Sequence, residues 1–208
     1  MILQKEKNVV LLPTHKSFID MWLLSFIHQE EGIDLPFVCG DTQLFQLAFV
    51  SSFIKNAGGF NLDEKSMKSE LFRSVVDGYV FALMKNNQLV ELYLEQRRSR
   101  SGKVQAPNEA LFDHIISVYF NTIGSTKKDV IFVPVTINYD RVIEADSFPL
   151  ELLGEAVRRE TPFKILKQLI FAKKQFGKVM IRYGQPQSLQ ENITKYVQKN
   201  NLTTVSLF

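Results

Sequence analysis

The sequence predicts an α/β fold, a mixed and partly parallel sheet flanked by helices. Two observations carry that expectation. Short apolar runs such as Val9 to Leu12 and Val130 to Ile137 alternate with longer stretches whose apolar residues recur near every 3.6 positions. Turn and capping residues, among them Pro13, Asp41, Gly58-Gly59, Gly177 and Ser188, stand at the changeovers. Strands separated by helices need crossover connections, and these make neighbouring strands parallel.

In chain order, Val9 to Leu12 reads as a buried strand that stops at Pro13. Ser17 to Gln29 reads as a helix with Phe18, Ile19, Trp22, Leu23 and Phe26 as its apolar face. Leu35 to Cys39 is a short strand, and Asp41 opens a helix that runs to about Lys55. Ala57 to Leu62 is a third strand, opened by Gly58-Gly59. Ser66 to Lys85 is a helix whose broad apolar face holds Leu71, Phe72, Val75, Val76, Tyr79, Val80 and Leu83. Leu89 to Leu94 and Val130 to Ile137 are strands. Phe163 to Phe176 reads as a helix closed by Gly177. Lys178 to Tyr183 is the last strand, and the turn Gly184-Gln185-Pro186 leads to a helix capped by Ser188 with Glu191 three residues on.

The 208 residues suit one domain, and a hydrophobic share of 45% argues against wholesale disorder. A net charge of +3 is too slight to imply nucleic acid. The single cysteine, Cys39, excludes an internal disulfide framework. No run reaches the 18 or so apolar residues of a membrane span, the nearest being Leu44 to Ile54, which Gln46, Ser51 and Ser52 interrupt.

In an α/β sheet the reactive groups collect on loops beyond the strand ends. Four loops therefore matter: 13–20, 57–65, 95–103 and 134–141. In the first, His15 and Asp20 are five residues apart, a rotation of about 500° on one helix, which would turn them away from each other. They meet only if His15 lies in the loop and Asp20 in the first helical turn. Asp20 can then hold one imidazole nitrogen protonated and leave the other to accept a proton, the base a hydroxyl nucleophile needs. The competing reading is a capping box, Ser17-x-x-Asp20, with the acid serving only the helix start. His28 and His114 lack this strand–loop–helix setting.

In the third loop, Glu95 precedes four cations within seven residues, Arg97, Arg98, Arg100 and Lys103. Such a turn can hold a phosphate, with Glu95 orienting an arginine or taking a hydrogen bond from a substrate hydroxyl. A solvated loop, a localisation signal and a nucleic-acid patch are the competing readings, the last without an aromatic platform.

Taken in order, these loops resemble the conserved blocks of the glycerol-3-phosphate and dihydroxyacetone phosphate acyltransferases. His15-Lys16-Ser17-Phe18-Ile19-Asp20 matches that family's H-x4-D block, and Ala57-Gly58-Gly59-Phe60 the start of its second. Glu95 with Arg98-Ser99-Arg100-Ser101-Gly102-Lys103 resembles the third, and Val133-Pro134 through Tyr139-Asp140-Arg141-Val142-Ile143-Glu144 the fourth. The resemblance implies a single acyltransferase catalytic domain over residues 1–208, the core of a longer family architecture. It implies His15 as general base, Asp20 as its orienter, and an acceptor pocket built from Glu95, Arg98, Ser99, Arg100, Gly59 and Phe60. Pro134 would shape the wall beside the thioester. Acyl-CoA would be the co-substrate, a phosphorylated three-carbon molecule the acceptor, with no metal, no other cofactor and no nucleic acid. The implied location is peripheral at an intracellular membrane surface, whether mitochondrial, peroxisomal or of the endoplasmic reticulum. Asp63 and Glu64 depart from the pattern, standing where two arginines are usual. They leave two alternatives: a non-catalytic lipid- or protein-binding domain of the same fold, and an acyltransferase for a lysophospholipid.

Overall fold

The structure, a computed structural model, describes residues 7–40, 48–61, 68–95, 98–99, 101–126, 128–145, 148–153 and 176–201. The elements are β1 (Asn8–Pro13), α1 (Asp20–Glu30), β2 (Phe37–Gly40), α2 (Ala48–Asn56), β3 (Phe60–Asn61), α3 (Glu70–Lys85), β4 (Val90–Leu92), α4 (Glu109–Thr126), β5 (Val130–Tyr139), α5 (Phe148–Leu152), β6 (Val179–Tyr183), β7 (Gln187–Ser188) and α6 (Leu189–Lys199). Among the described residues the strands form one sheet in the order β3-β2-β4-β1-β5-β6, with β7 also paired to β5. The ladders joining β1 to β5 are all parallel, and β6 and β7 run antiparallel to β5. The predicted mixed, partly parallel sheet is the observed one.

The parallel strands read as continuous apolar runs because both of their faces are covered. On one face Val10, Val90, Leu92, Val130 and Phe132 pack against Val76, Val80, Leu83 and Met84 of α3 and Ile115, Val118 and Tyr119 of α4. On the other, Val9, Leu11, Ile131, Val133, Val135 and Ile137 surround Leu24 of α1. Burying each such side chain stabilises the fold by about 1.5–3 kcal/mol. Past Val133, β5 changes character: Pro134, Thr136 and Asn138 are exposed while Val135 and Ile137 stay buried. The central pair β1 and β5 is locked over six residues, from Asn8 opposite Val130 to Pro13 opposite Val135. That register brings the loop after β1 beside the outer half of β5.

Three expectations are corrected. The first helix begins at Asp20 and not at Ser17, because the Ser17 hydroxyl is engaged by Glu144 outside the helix. Its buried residues are Asp20, Met21, Leu24 and His28, whereas Trp22 is 47% and Phe26 59% exposed. Two members of the buried stripe are polar and satisfied inside the fold, so apolar spacing pointed to the wrong face. Likewise α3 buries Val76, Val80, Leu83 and Met84 and leaves Leu71, Val75 and Tyr79 exposed.

The third strand shrinks to Phe60–Asn61 because its two glycines belong to the end of α2. Gly58 N–H donates to the Lys55 carbonyl and Gly59 N–H to that of Ile54, with Gly58 at φ +85°, a left-handed helix stop. A Cβ on Gly59 would run into the side chain of Ile54. The helix expected over 163–176 falls, up to residue 175, outside the described residues, as do Asp41, Asp63 and Glu64. The predicted cap of α6 is present: Ser188 Oγ accepts the Glu191 N–H at 3.0 Å.

Candidate active site

The loop after β1 leaves the sheet between β4 and β5, so residues from both neighbours reach it. Thr14 ties it down, its N–H donating to the Val135 carbonyl at 2.9 Å while its hydroxyl accepts the Ile137 N–H at 3.0 Å. His15 follows in the loop and Asp20 stands in the first turn of α1, the arrangement their spacing required. Asp20 Oδ2 lies 3.1 Å from His15 Nδ1 and accepts the N–H groups of Lys16 at 2.7 Å and Ser17 at 2.8 Å. Its other oxygen accepts the Tyr139 hydroxyl. Only half of the expected capping box forms: Asp20 accepts the Ser17 N–H, but the Ser17 hydroxyl goes to Glu144 and the helix has no side-chain cap, so the carboxylate serves chiefly to orient His15 and the loop. A carboxylate can only accept here, so Nδ1 carries the ring proton and Nε2 presents a lone pair. The imidazole also packs on Tyr93, with ring centroids 4.6 Å apart.

The loop after β4 fixes the backbone of His15 from both sides. Glu95 Oε1 accepts the His15 N–H at 3.1 Å, and the His15 carbonyl accepts the Ser99 N–H at 2.8 Å. Glu95 Oε2 accepts the Gln105 N–H at 3.2 Å, so both oxygens of this buried acid are used within the protein. The Ser99 hydroxyl donates to the Lys103 carbonyl and is buried. Arg98 lies across the same junction, its guanidinium 3.4 Å from the Phe18 ring centroid and its Nη1 3.1 Å from Glu144 Oε1. Glu144 also accepts the Ser17 hydroxyl and the Phe18 N–H at 2.9 Å. Arg100 lies outside the described residues.

The remaining predicted site residues stand elsewhere. Gly59 and Phe60 are on the edge of the sheet at β3, with Phe60 paired to Cys39 and its ring 5.2 Å from that of Tyr79. No described contact joins them to His15. Pro134 sits opposite Leu12 within β5 and is exposed. Its missing N–H falls toward the junction of β6 and β7, where its carbonyl accepts the Gly184 N–H at 2.7 Å.

Sequence reasoning assigned no role to Glu144, Tyr139, Tyr93 or Glu91. Glu91 on β4 and Tyr93 just past its end alternate with core residues, and a period-2 pattern would have placed them on the α1 face. The burial of an acid there has no sequence signal. By strict geometry neither carboxyl oxygen of Glu91 nor the Tyr93 hydroxyl has a hydrogen-bond partner among the described residues, although the two groups are near enough for a loose bond from Tyr93 to Glu91. Loss of water pushes the Glu91 carboxyl up to about 8, with nearby Asp20 adding to the shift and Tyr93 opposing it. Burial, Glu91 and Asp20 together raise Tyr93 well above the usual phenol range. Burial raises Tyr139 too, with Asp20 reinforcing it. Both phenols therefore stay protonated as donors.

The other two histidines serve packing. His28 meets the Asp34 carbonyl through Nδ1 and the Tyr183 hydroxyl through Nε2, and burial lowers its pKa against the Asp34 bond. His114 links α4 to Asp77 of α3 at 2.6 Å. An open cavity of about 340 Å³ lies where the β4 loop meets α4, lined by Leu94, Pro107, Asn108, Phe112 and Asp113.

A family model described as Acyltransferase matches residues 2–138. The protein named "Glycerol-3-phosphate acyltransferase 1, mitochondrial" of Sus scrofa is 32% identical over 207 residues, which cover 96% of this chain and 24% of that protein. Its Mus musculus counterpart is 33% identical over the same shares. "Dihydroxyacetone phosphate acyltransferase" of Bos taurus is 29% identical over 187 residues, 89% of this chain and 27% of that protein. The chain spans about a quarter of the length of these curated relatives.

Proposed function

The chain belongs to the acyltransferase family, and from that premise we propose that it transfers a fatty acyl group from acyl-CoA to the hydroxyl of glycerol 3-phosphate or dihydroxyacetone phosphate. The observation that carries the reading is the buried His15–Asp20 pair, with Nδ1 anchored and Nε2 left as an acceptor beyond the parallel strand ends. The names of the relatives support the choice of acceptor.

In this reading His15 Nε2 takes the proton of the acceptor hydroxyl as its oxygen attacks the thioester carbonyl. A C–O bond forms, the carbon–sulfur bond breaks, and the thiolate takes the proton back from the imidazolium to leave as CoA. Asp20 holds the ring and balances the transient imidazolium. Glu95 and Ser99 hold the backbone of the base in place. Arg100 belongs to the acceptor pocket, Arg98 supports that pocket from its pair with Glu144, and Pro134 belongs to the wall beside the thioester. The open cavity at Leu94 and Phe112 suits part of the acyl chain, being mostly apolar and of ligand-pocket size. No further cofactor is needed for these steps.

We place the protein peripherally at an intracellular membrane, where its acyl donor and product collect. The exposed Trp22 and Phe26, one turn apart on α1, support contact with lipid. Among the described residues no helix is long and apolar enough to cross a membrane.

The test is CoA release from a long-chain acyl-CoA, with each acceptor offered in turn and His15→Ala run beside the native chain. Acceptor-dependent release that disappears in the variant supports the reaction and the base. No release from folded native protein with either acceptor sinks the reading.

A further inference from the structure

We propose that Lys16, beside the base in sequence, is a ligand for the phosphate of the acceptor. The inference rests on the acceptor reading above and assigns a side chain that the block motifs leave without a role. It follows from comparing the charges around His15. A phosphate responds to net positive charge, and a cation already matched by a carboxylate offers little of it.

Arg98 is matched in this way. Its guanidinium is paired with Glu144 at 3.1 Å and lies over the Phe18 ring, both inside the fold. The pair is neutral as a unit, and it fastens the first, third and fourth blocks together. Lys16 differs. Its ammonium donates to the Gly102 carbonyl at 3.2 Å and to Asn138 Oδ1 at 3.3 Å, both neutral oxygens at long range. Among the described residues no carboxylate pairs with it. An ammonium has three donors, so two weak bonds leave it able to take a stronger, charge-assisted one.

Its placement suits the acceptor. The Lys16 N–H is fixed by Asp20, the residue that orients the base, so the lysine backbone and the imidazole share one anchor. The ammonium then bridges Gly102 in the β4 loop and Asn138 at the outer end of β5. Gly102 adopts φ +76°, a turn that ordinary side chains rarely make, and its carbonyl meets the lysine there. An acceptor whose hydroxyl meets Nε2 of His15 carries its phosphate a few bonds away, within the reach of a long side chain rooted one residue on.

The experiment measures glycerol 3-phosphate binding to the full chain by calorimetry, and turnover with glycerol 3-phosphate and with glycerol, which has no phosphate. Lys16→Gln should weaken glycerol 3-phosphate binding by about tenfold or more, the worth of one charge-assisted bond. It should leave glycerol turnover and the KM for acyl-CoA unchanged, and Lys16→Arg should restore most of the binding. A purely structural lysine would lower activity with both acceptors alike. The proposal is overturned if Lys16→Gln binds glycerol 3-phosphate as the native chain does, if glycerol turnover falls equally, or if the native chain binds no glycerol 3-phosphate. Lys16-dependent binding without CoA release would keep this site and discard the transfer reaction. Normal release by the variant at low acceptor would do the reverse.

Discussion

The amide of His15 donates to Oε1 of Glu95 across 3.1 Å, although eighty positions separate them in the chain. The Ser99 N–H closes the same grip on the carbonyl of His15. An acid in this block could instead have faced a substrate hydroxyl, but both oxygens of Glu95 are taken by backbone N–H groups. Glu95 therefore acts on the base through its backbone. Glu95→Ala strands two donors and should cost about 1–3 kcal/mol of stability. It should also lower kcat by about tenfold as the imidazole drifts from its working position. Glu95→Gln keeps an acceptor oxygen and should fall between. Native kcat and Tm in the alanine variant would remove Glu95 from this role.

Tyr139 supplies the hydroxyl bond to Asp20, reaching it from the end of β5. The other partners of that carboxylate come from the loop itself, so among the described residues Tyr139 alone ties it to the sheet. Tyr139→Phe keeps the ring and deletes the donor. kcat/KM should fall by about tenfold, the net worth of a charge-assisted hydrogen bond, with the KM for acyl-CoA unmoved. Unchanged kcat/KM would mean that the loop amides hold Asp20 without help.

The sheet and the base were legible for physical reasons that did not extend to the rest. Parallel strands covered on both faces leave unbroken apolar runs, and Val9 to Leu12 and Val130 to Val133 are such runs. The five-residue interval from His15 to Asp20 permits contact in only one loop-and-turn arrangement, and the fold adopts it. The outward faces of α1 and α3 misled because burial there follows the sheet and not the density of apolar residues. Trp22 and Phe26 stay exposed while Asp20 and His28 go inside. Glu144 was unreadable for another reason: its partner Ser17 lies 127 positions away. Nothing local to an acid announces that it will be buried.

Glu91 makes the stability of the fold depend on pH in a definite sense. Its folded carboxyl titrates near 8, against an ordinary 4.5. Between those values the folded chain keeps a proton that the unfolded chain has lost, so stability falls as pH rises. The slope is at most about 1.4 kcal/mol per pH unit, and it vanishes above the folded value. Glu91→Gln removes the titration while keeping the shape. Thermal unfolding from pH 5 to 8 should therefore decline less steeply in the variant than in the native chain. Parallel curves would show that Glu91 is ionised in the folded protein throughout that range.

Glu144 yields the most severe prediction outside the base itself. It is 3% exposed and binds the Ser17 hydroxyl, the Phe18 N–H and Arg98 at once. Removing one member of a buried ion pair leaves the other charge without its counter-ion, at a cost of about 3–5 kcal/mol. Glu144→Ala should accordingly destabilise far more than a surface change, and Arg98→Ala should do likewise by stranding Glu144. Glu144→Gln can still accept from Ser17 and Phe18 but no longer neutralises Arg98, so it isolates the charge. It should stay folded and shift the KM for the phosphorylated acceptor more than the KM for acyl-CoA, because the released guanidinium changes the field in the pocket. The double variant Glu144→Ala with Arg98→Ala should be less unstable than the sum of the two single changes, since neither charge is then left alone. Strict additivity in that cycle, with both KM values native in Glu144→Gln, would mean that the 3.1 Å pair neither supports the fold nor shapes the site.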